Sequence, residues 1–298
     1  MIGTGLASLT AVAAQSMTSL YPILIKRVDT NILTQTAVRF TLFPILALVL
    51  GGTGAFASVT NSWGKLGSVL LFGVLNLTHV FSSYIAFDEL QAGIAMSIFY
   101  TYPLWNMLGA RFFFGEALQA WTLPLFALAL YGTYIVASAA PEARAYKHEA
   151  DVGRSPARGI IAALVAALTE TGLYLAVRGS ETANPFANVT MLYLGGAALL
   201  IAAFPAFAAA GQTLDLRLSS LLPTAGFNTL IGFVGMTLMF FTARHLPAYM
   251  YSILAFVGVA TAYGWGVLLA DEQPNKKAVG GAGLVLGAVG LLYSLTGK

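Results

Sequence analysis

Apolar residues run along this chain in long blocks, and short polar stretches separate the blocks. A membrane-spanning helix needs roughly 20 mainly apolar residues, and backbone polar groups in lipid must be satisfied within each helix. The pattern therefore predicts an all-α integral membrane protein whose surroundings are a lipid bilayer. Ten spanning segments can be marked: Gly3–Ile25, Ile32–Leu50, Leu66–Phe87, Ala92–Phe114, Ala120–Ala139, Gly159–Val177, Phe186–Ala210, Leu218–Ala243, Pro247–Ala270 and Ala278–Leu295.

Composition supports this class and excludes several functions. Of 298 residues, 58% are hydrophobic and 9% are charged, whereas soluble domains carry about 25% charged residues. Without cysteine, disulfides and thiolate metal sites are excluded. The net charge of +3 is spread over the connectors and gives no nucleic-acid signal. Hydrolase, metalloprotease and nucleotide-binding motifs are absent from the sequence, so we expect neither an enzyme nor a metal or cofactor.

The two halves of the chain echo each other across a charged connector. Residues 1–140 and 159–298 each hold five predicted helices, and residues 141–158 join them. An offset of 156 places Leu90 on Leu246 and Glu116 on Glu272. Because an odd number of helices turns the second half over, the repeats are predicted to be inverted. Inverted repeats around a site near the bilayer midplane are a recurrent transporter architecture.

Short motifs carry a family resemblance over essentially the whole chain. They are Arg39-Phe40 in the second segment, Pro103 in the fourth, Phe114-Gly115-Glu116 at its end, and Ala270-Asp271-Glu272-Gln273 at the corresponding later turn. Val259 stands where the first half has Pro103, and Asp271 where it has Gly115. With these motifs the chain resembles the EamA-type branch of the drug/metabolite transporter superfamily.

The resemblance implies metabolite transport through a central cavity between two five-helix halves, with both termini in the cytoplasm. Alternating access is expected from the inverted halves, and a gradient or exchange must drive it because the sequence has no ATP-binding motif. The expected location is the inner membrane of a bacterium. The excess of Lys and Arg in the connectors opposite the termini favours the reverse orientation. Members handle amino acids, choline, drugs and nucleotide sugars, so the resemblance alone leaves anionic and nucleotide-sugar substrates open.

Glu170 is the strongest candidate for a site residue. It lies within the apolar segment Gly159–Val177, where a charged side chain costs on the order of 2.5 kcal/mol or more. Such a group typically marks the path of an ion or a polar solute. His79 lies within the third segment and can exchange protons near neutral pH. Glu170 and His79 are therefore the candidates for proton coupling, and a membrane-embedded enzyme that uses the same two residues is the alternative.

Further polar and aromatic side chains fall on faces that helical spacing shares with these two. The predicted substrate-binding set is Glu170, His79, Asn76, Gln15, Tyr100, Trp105, Tyr174, Tyr249 and Ser83. A carboxylate among aromatic rings can hold an organic cation by ion pairing and cation–π attraction. We therefore expect a small substrate such as an amino acid, an amine or a choline-like cation. For each single aromatic or small polar residue, helix packing is the competing explanation.

Three other features have structural interpretations. Arg39 is expected either to pair with Glu170 or to extend towards a helix end, and the resemblance makes it architectural. Glu116 and Glu272 are expected to cap the helices that follow them. The glycine-rich start of the last segment, Gly280–Gly283, predicts close helix packing, one form of which is a homodimer contact.

Overall fold

The computed structural model describes residues 3–61, 66–90, 92–139, 155–180, 184–270 and 273–296, and over these ranges it is helical with no strands. The first half contains α1 (Thr4–Thr18), α2 (Tyr21–Arg27), α3 (Ile32–Asn61), α4 (Leu66–Glu89), α5 (Ala92–Phe99), α6 (Tyr102–Phe114) and α7 (Thr122–Ala139). The second half contains α8 (Pro156–Gly179), α9 (Pro185–Ala209), α10 (Leu218–Phe227), a π-helical turn (Asn228–Phe233), α11 (Val234–His245), α12 (Ala248–Ala255), α13 (Val257–Leu269) and α14 (Lys276–Thr296). The predicted turn residues Asp271 and Glu272 lie outside the described ranges.

Within the described ranges, nine helices are long and apolar enough to cross a membrane, and the chain is a multi-pass integral membrane protein. They cover nine of the ten predicted segments. The fourth segment, which is divided into α5 and α6 at Tyr100 and Thr101, is not among them. The predicted order of helices along the chain is preserved.

Proline explains two of the interruptions in these segments. A proline ring inside a helix clashes with the carbonyl group four residues earlier. Pro22 lies four residues after Thr18, where α1 ends, and Pro103 lies four residues after Phe99, where α5 ends. The ninth segment breaks at the equivalent place, between α12 and α13, although Val259 replaces the proline there. The break is therefore common to both halves while its sequence signal is not.

The second predicted segment extends further than expected. Residues after Leu50 were predicted as a connector, but α3 continues to Asn61. Gly52 interrupts it with φ 55° and ψ −145°, a conformation that side-chain-bearing residues rarely adopt. The glycine thus bends the helix where a loop was expected.

The helices pack in pairs that join the two halves. α4 lies against α8, and α1 lies against α11; α3 packs on α9, and α7 packs on α14. Small residues permit the last contact, since a Cβ atom added to Gly281 would lie 2.7 Å from the carbonyl oxygen of Gly132. Close packing at the predicted glycine run is thus intramolecular at Gly281. Exchanging each segment with its equivalent in the other half converts the α4–α8 pair into the α11–α1 pair. The same exchange leaves the α3–α9 and α7–α14 pairs unchanged.

Glu116 fastens the two halves at one end of the molecule. Its carboxylate forms an ion pair with Arg178 of α8, and its Oε2 accepts the Ala248 amide hydrogen at 2.9 Å. The prediction that Glu116 caps the following helix, α7, is wrong, because it caps α12 of the other half instead. The reason is that the turn after α6 brings this side chain beside the end of α8 and the start of α12.

A basic side chain also holds an equivalent carbonyl group in each half. Arg178 Nη1 donates to the carbonyl oxygen of Leu246 at 2.8 Å. Lys26 Nζ donates to the carbonyl oxygen of Leu90 at 2.8 Å. Leu90 and Leu246 are the residues that the offset of 156 equates. The first helix of each half is thus tied to the link between its own third and fourth segments.

Candidate functional site

A cavity of about 60 Å³ lies between the halves, and side chains from both halves line it. Its lining residues are Gln15, Thr18, Tyr21, Arg39, His79, Ser83, Tyr84, Phe87, Met96, Phe99, Tyr100, Tyr102, Glu170, Met236 and Met239. Since a water molecule occupies about 30 Å³, this space suits a few waters and is too small for most metabolites. A larger open depression, of about 560 Å³, lies among the charged connectors at one end and shares no lining residue with the cavity.

Glu170 and His79 meet in this cavity. His79 Nε2 of α4 lies 3.3 Å from Glu170 Oε2 of α8, and both side chains are buried. The other ring nitrogen, Nδ1, lies 3.1 Å from the carbonyl oxygen of Ala166. A carbonyl oxygen only accepts hydrogen bonds, so Nδ1 carries a hydrogen. In a neutral imidazole Nε2 then has a lone pair, which faces the carboxyl group of Glu170.

Gln15 contacts both parts of the broken fourth segment at the cavity. Its Oε1 accepts hydrogen bonds from the hydroxyl groups of Tyr100 and Tyr102, each at 3.3 Å. Tyr100 and Tyr102 flank the break between α5 and α6. In a continuous helix, side chains two residues apart would point about 160° away from each other. The break therefore allows both hydroxyl groups to reach Gln15 beside the cavity.

Arg39 is enclosed by aromatic rings. Its guanidinium carbon lies 4.9 Å from the ring centre of Phe43, 5.1 Å from that of Tyr21, 5.6 Å from that of Tyr193 and 6.0 Å from that of Tyr84. Nε donates to the hydroxyl oxygen of Tyr193 at 2.9 Å, and Nη1 donates to that of Tyr84 at 3.4 Å. Distances under about 6 Å permit cation–π attraction.

Both expectations for Arg39 are wrong. It is only 4% exposed, so it does not extend to a helix end. Glu170 pairs with His79 instead. None of the ion pairs among the described residues includes Arg39. The physical reason is that the rings and hydroxyl groups around the guanidinium hold it away from the carboxyl group.

The predicted substrate-binding set divides between the cavity and other places. Glu170, His79, Gln15, Tyr100 and Ser83 line the cavity. Asn76 is completely buried away from it, and neither end of its amide has a hydrogen-bond partner among the described residues.

Three aromatic members of that set also lie elsewhere. Tyr174 stacks on Tyr251 with ring centres 4.9 Å apart, one turn beyond Glu170 towards Arg178. Tyr249 meets the edge of Trp121 at 5.3 Å, and Trp105 is 43% exposed on the outer surface. Helical spacing identifies residues that share a face, but it does not reveal which face turns inward, and here that limit affects these three aromatic residues. The role of each residue in binding stays a prediction.

Comparisons with known proteins agree with the helical membrane fold. The model of the EamA-like transporter family matches residues 157–294. The second half of this chain is EamA-like. The resemblance to the drug/metabolite transporter superfamily is thereby confirmed, and it indicates a membrane transporter of that type. A crystal structure superposes with a TM-score of 0.71 at 18% sequence identity, over 97% of this chain and 96% of the other, which supports the fold alone. No curated protein matches the sequence.

Several residues in and beside the cavity escaped the sequence analysis. Tyr21, Tyr84 and Tyr193 surround Arg39, and Tyr102 completes the group around Gln15. The buried arginine was the available signal, because a cation in a membrane helix needs partners. Its partners come from three other segments, and no spacing in the sequence relates them. Across the described ranges, no group of three or more His, Asp or Glu side chains could hold a metal ion.

Proposed function

We propose that this protein is a secondary transporter that moves a small metabolite carrying a cationic amine group by alternating access. The observation that carries the proposal is the His79–Glu170 contact at the central cavity, with the Nδ1 hydrogen directed at Ala166. The proposed site therefore binds either a proton or a cation. The proposed location is the inner membrane of a bacterium.

The contact requires one additional proton. With Nδ1 protonated, a neutral His79 and an ionised Glu170 would place a nitrogen lone pair against a carboxylate oxygen at 3.3 Å, which is repulsive. A proton between the two atoms removes the repulsion, whether it lies on Oε2 as a carboxylic acid or on Nε2 as an imidazolium. The closed state of the cavity therefore corresponds to the proton-loaded pair.

Loss of that proton prepares the site for a cation. When the proton leaves for water, Glu170 is left with a negative charge in a buried site, where it favours a cationic partner. Tyr100 and Phe99 line the same cavity and supply ring faces for such a group. Proton and substrate thus compete for one carboxylate, which gives an exchange of one for the other.

Alternating access is supported by contacts that join the proposed halves, residues 1–140 and 159–298. The cavity has a volume of about 60 Å³, so a metabolite fits only after the helices move. The ion pair of Glu116 with Arg178 closes one end between the halves. Opening that end requires this pair to separate, and the inverted relation of the halves supplies an equivalent movement at the other end.

Glu170→Gln is the decisive variant, because it keeps the shape and removes the charge. We expect it to abolish both substrate-induced proton release and pH-dependent transport while the protein remains folded in detergent. Purified protein in weak buffer with a pH dye would receive a panel of amino acids, primary amines and choline. Counterflow in liposomes at pH 6 and pH 8 would then follow the compounds that release protons.

The matched control is Glu89→Gln. Glu89 lies outside the cavity, where its Oε1 pairs with Arg158 at 3.2 Å, so its replacement should leave the pH profile unchanged. Normal counterflow with unaltered pH dependence in Glu170→Gln would show that the carboxyl group is structural.

A further inference from the structure

The charge on Arg39 is buried without an anionic partner among the described residues. The side chain lines the central cavity together with Glu170 and His79, and it is 4% exposed. Aromatic rings attract the guanidinium but carry no net charge to neutralise it. Burying an uncompensated ion is costly, and such a group attracts a counter-ion from any ligand that reaches it.

The guanidinium also has donors to spare. A guanidinium carries five N–H donors in a planar fork, and two hydrogen bonds, to Tyr193 and Tyr84, are formed with the described residues. The remaining three N–H groups, including both on Nη2, have no acceptor among the residues that the structure describes. A carboxylate is the group whose two oxygen atoms match such a fork.

The tyrosines fix the direction of these donors. Tyr193 holds Nε from one side, and its ring packs 4.6 Å from the ring of Phe43. Tyr21 is itself held by the side chain of Asn228, since its hydroxyl group donates to Oδ1 at 3.1 Å. The fork is therefore preorganised, which lowers the entropic cost of binding an anion.

We propose that Arg39 is the subsite for the carboxylate of a zwitterionic substrate whose ammonium group binds Glu170. The inference rests on the proposed function and narrows its substrate class, because a cavity with a cation and an acid together suits a dipolar ion better than an amine or choline. Tyr193 and Tyr84 are positioning residues that aim the guanidinium. The side chain of the substrate requires the cavity to widen beyond its closed volume.

Matched compounds that lack one charge each test this assignment. The probes are phenylalanine, 2-phenylethylamine and 3-phenylpropionate, with the corresponding three compounds derived from leucine. Their binding to the purified protein is measured by thermal shift, since a ligand of the folded state raises its apparent stability. We expect the amino acid of each set to bind at least tenfold more tightly than its amine and its acid.

Variants then separate the two subsites. Arg39→Gln should weaken the amino acid at least tenfold and leave the amine unchanged, whereas Glu170→Gln should weaken both. Arg39→Lys should recover part of the loss, since it restores the charge without the fork. Tyr193→Phe keeps the charge and removes the hydrogen bond to Nε, so it tests the positioning role if Arg39→Gln does not fold. Arg158→Gln, outside the cavity, is the matched control.

Two results overturn the inference. One is an amine that binds wild-type protein as tightly as its amino acid, and the other is an Arg39 variant with an unchanged ratio between them. Absence of binding by every probe overturns it as well. In each case the proton release that primary amines and choline induce in wild-type protein and in Glu170→Gln decides the proposed function separately, because these compounds have no carboxylate for Arg39.

Discussion

The third and eighth segments occupy equivalent places in the two halves but contribute different things to the cavity. α4 ends at Glu89 and α11 ends at His245, positions that the offset of 156 equates. α4 is continuous and supplies His79, whereas the eighth segment contains a π-helical turn at Asn228–Phe233 and supplies Met236 and Met239. The framework is shared and the chemistry is not.

Two glycines of the eighth segment take the places of polar residues in the third. Gly232 and Gly235 stand opposite Asn76 and His79 in the repeat. A Cβ atom on Gly232 would lie 1.8 Å from the hydroxyl oxygen of Tyr21. The eighth segment thus provides space for Tyr21, one of the aromatic residues around Arg39, while the third segment provides the ionisable ring of His79. Under the proposed mechanism, the third segment supplies the side chain that shares the proton, and the eighth segment leaves room for Tyr21 beside Arg39.

Of the changes that test this difference between the third and eighth segments, removal of the His79 imidazole should have the largest effect on transport. His79→Gln keeps a polar side chain but cannot take up the shared proton. Hydrogen bonds to charged groups contribute about 1.5–3 kcal/mol, which corresponds to roughly tenfold to a hundredfold in an equilibrium constant. We expect counterflow to fall by about that factor and to lose its pH dependence.

Ser82→Ala is the control for His79. Ser82 lies on the same helix and donates to the carbonyl oxygen of Thr78 at 2.6 Å, outside the cavity lining. It should transport as the wild type does. If His79→Gln retained the wild-type pH profile, the proton would belong to Glu170 alone and the asymmetry would lie elsewhere.

Adding a methyl group to the eighth segment should have an intermediate effect. Gly232→Ala forces Tyr21 to move, and overpacking of this kind costs about 1–3 kcal/mol. Gly226→Ala in the same segment has no neighbouring atom within 4 Å of the added carbon, so it should be neutral or slightly stabilising. Melting temperatures in detergent compare the two. Equal values would show that the tyrosine moves aside without cost.

The sequence identified Glu170 and His79 as candidates because ionisable groups within a membrane segment are costly, and the structure places them 3.3 Å apart. The ten apolar segments could also be predicted from the sequence, because the thickness of the bilayer sets the length of a spanning helix. The aromatic cage of Arg39 was not predictable. Its rings come from Tyr21 of α2, Tyr84 of α4 and Tyr193 of α9 as well as from Phe43 nearby, and only the packing of segments relates them.

Trp105 and Glu116 show a second limit. Trp105 shares a helical face with other polar residues but lies on the outer surface, because the break at Tyr100 resets the direction of the helix that follows. Glu116 was predicted to cap the helix that follows it in the sequence, but it contacts Arg178 and Ala248 of the other half. Contacts between the halves decide both cases, and they are not local properties of the chain.

The connector before the eighth segment provides the smallest expected effect. Asp215 accepts hydrogen bonds from Arg217 Nε at 2.9 Å and from Ser220 Oγ at 2.7 Å, so it links the two residues that flank the start of α10. The hydrogen bonds from Arg217 hold the pKa of Asp215 well below its usual range. A carboxyl group whose pKa is lower in the folded state stabilises the fold at pH values above its unfolded pKa, which is about 3.9.

Asp215→Asn should therefore lower the melting temperature slightly at pH 7, and the difference from wild type should shrink as the pH falls below about 4. Asp29→Asn is the control, because that side chain is 99% exposed and lies 3.6 Å from Arg217, where screening by solvent leaves little effect. A deficit in Asp215→Asn that is the same at pH 7 and pH 3 would contradict the role of the ionised carboxylate. The hydrogen bonds of residue 215 with Arg217 and Ser220 would then hold the start of the eighth segment without any contribution from the negative charge.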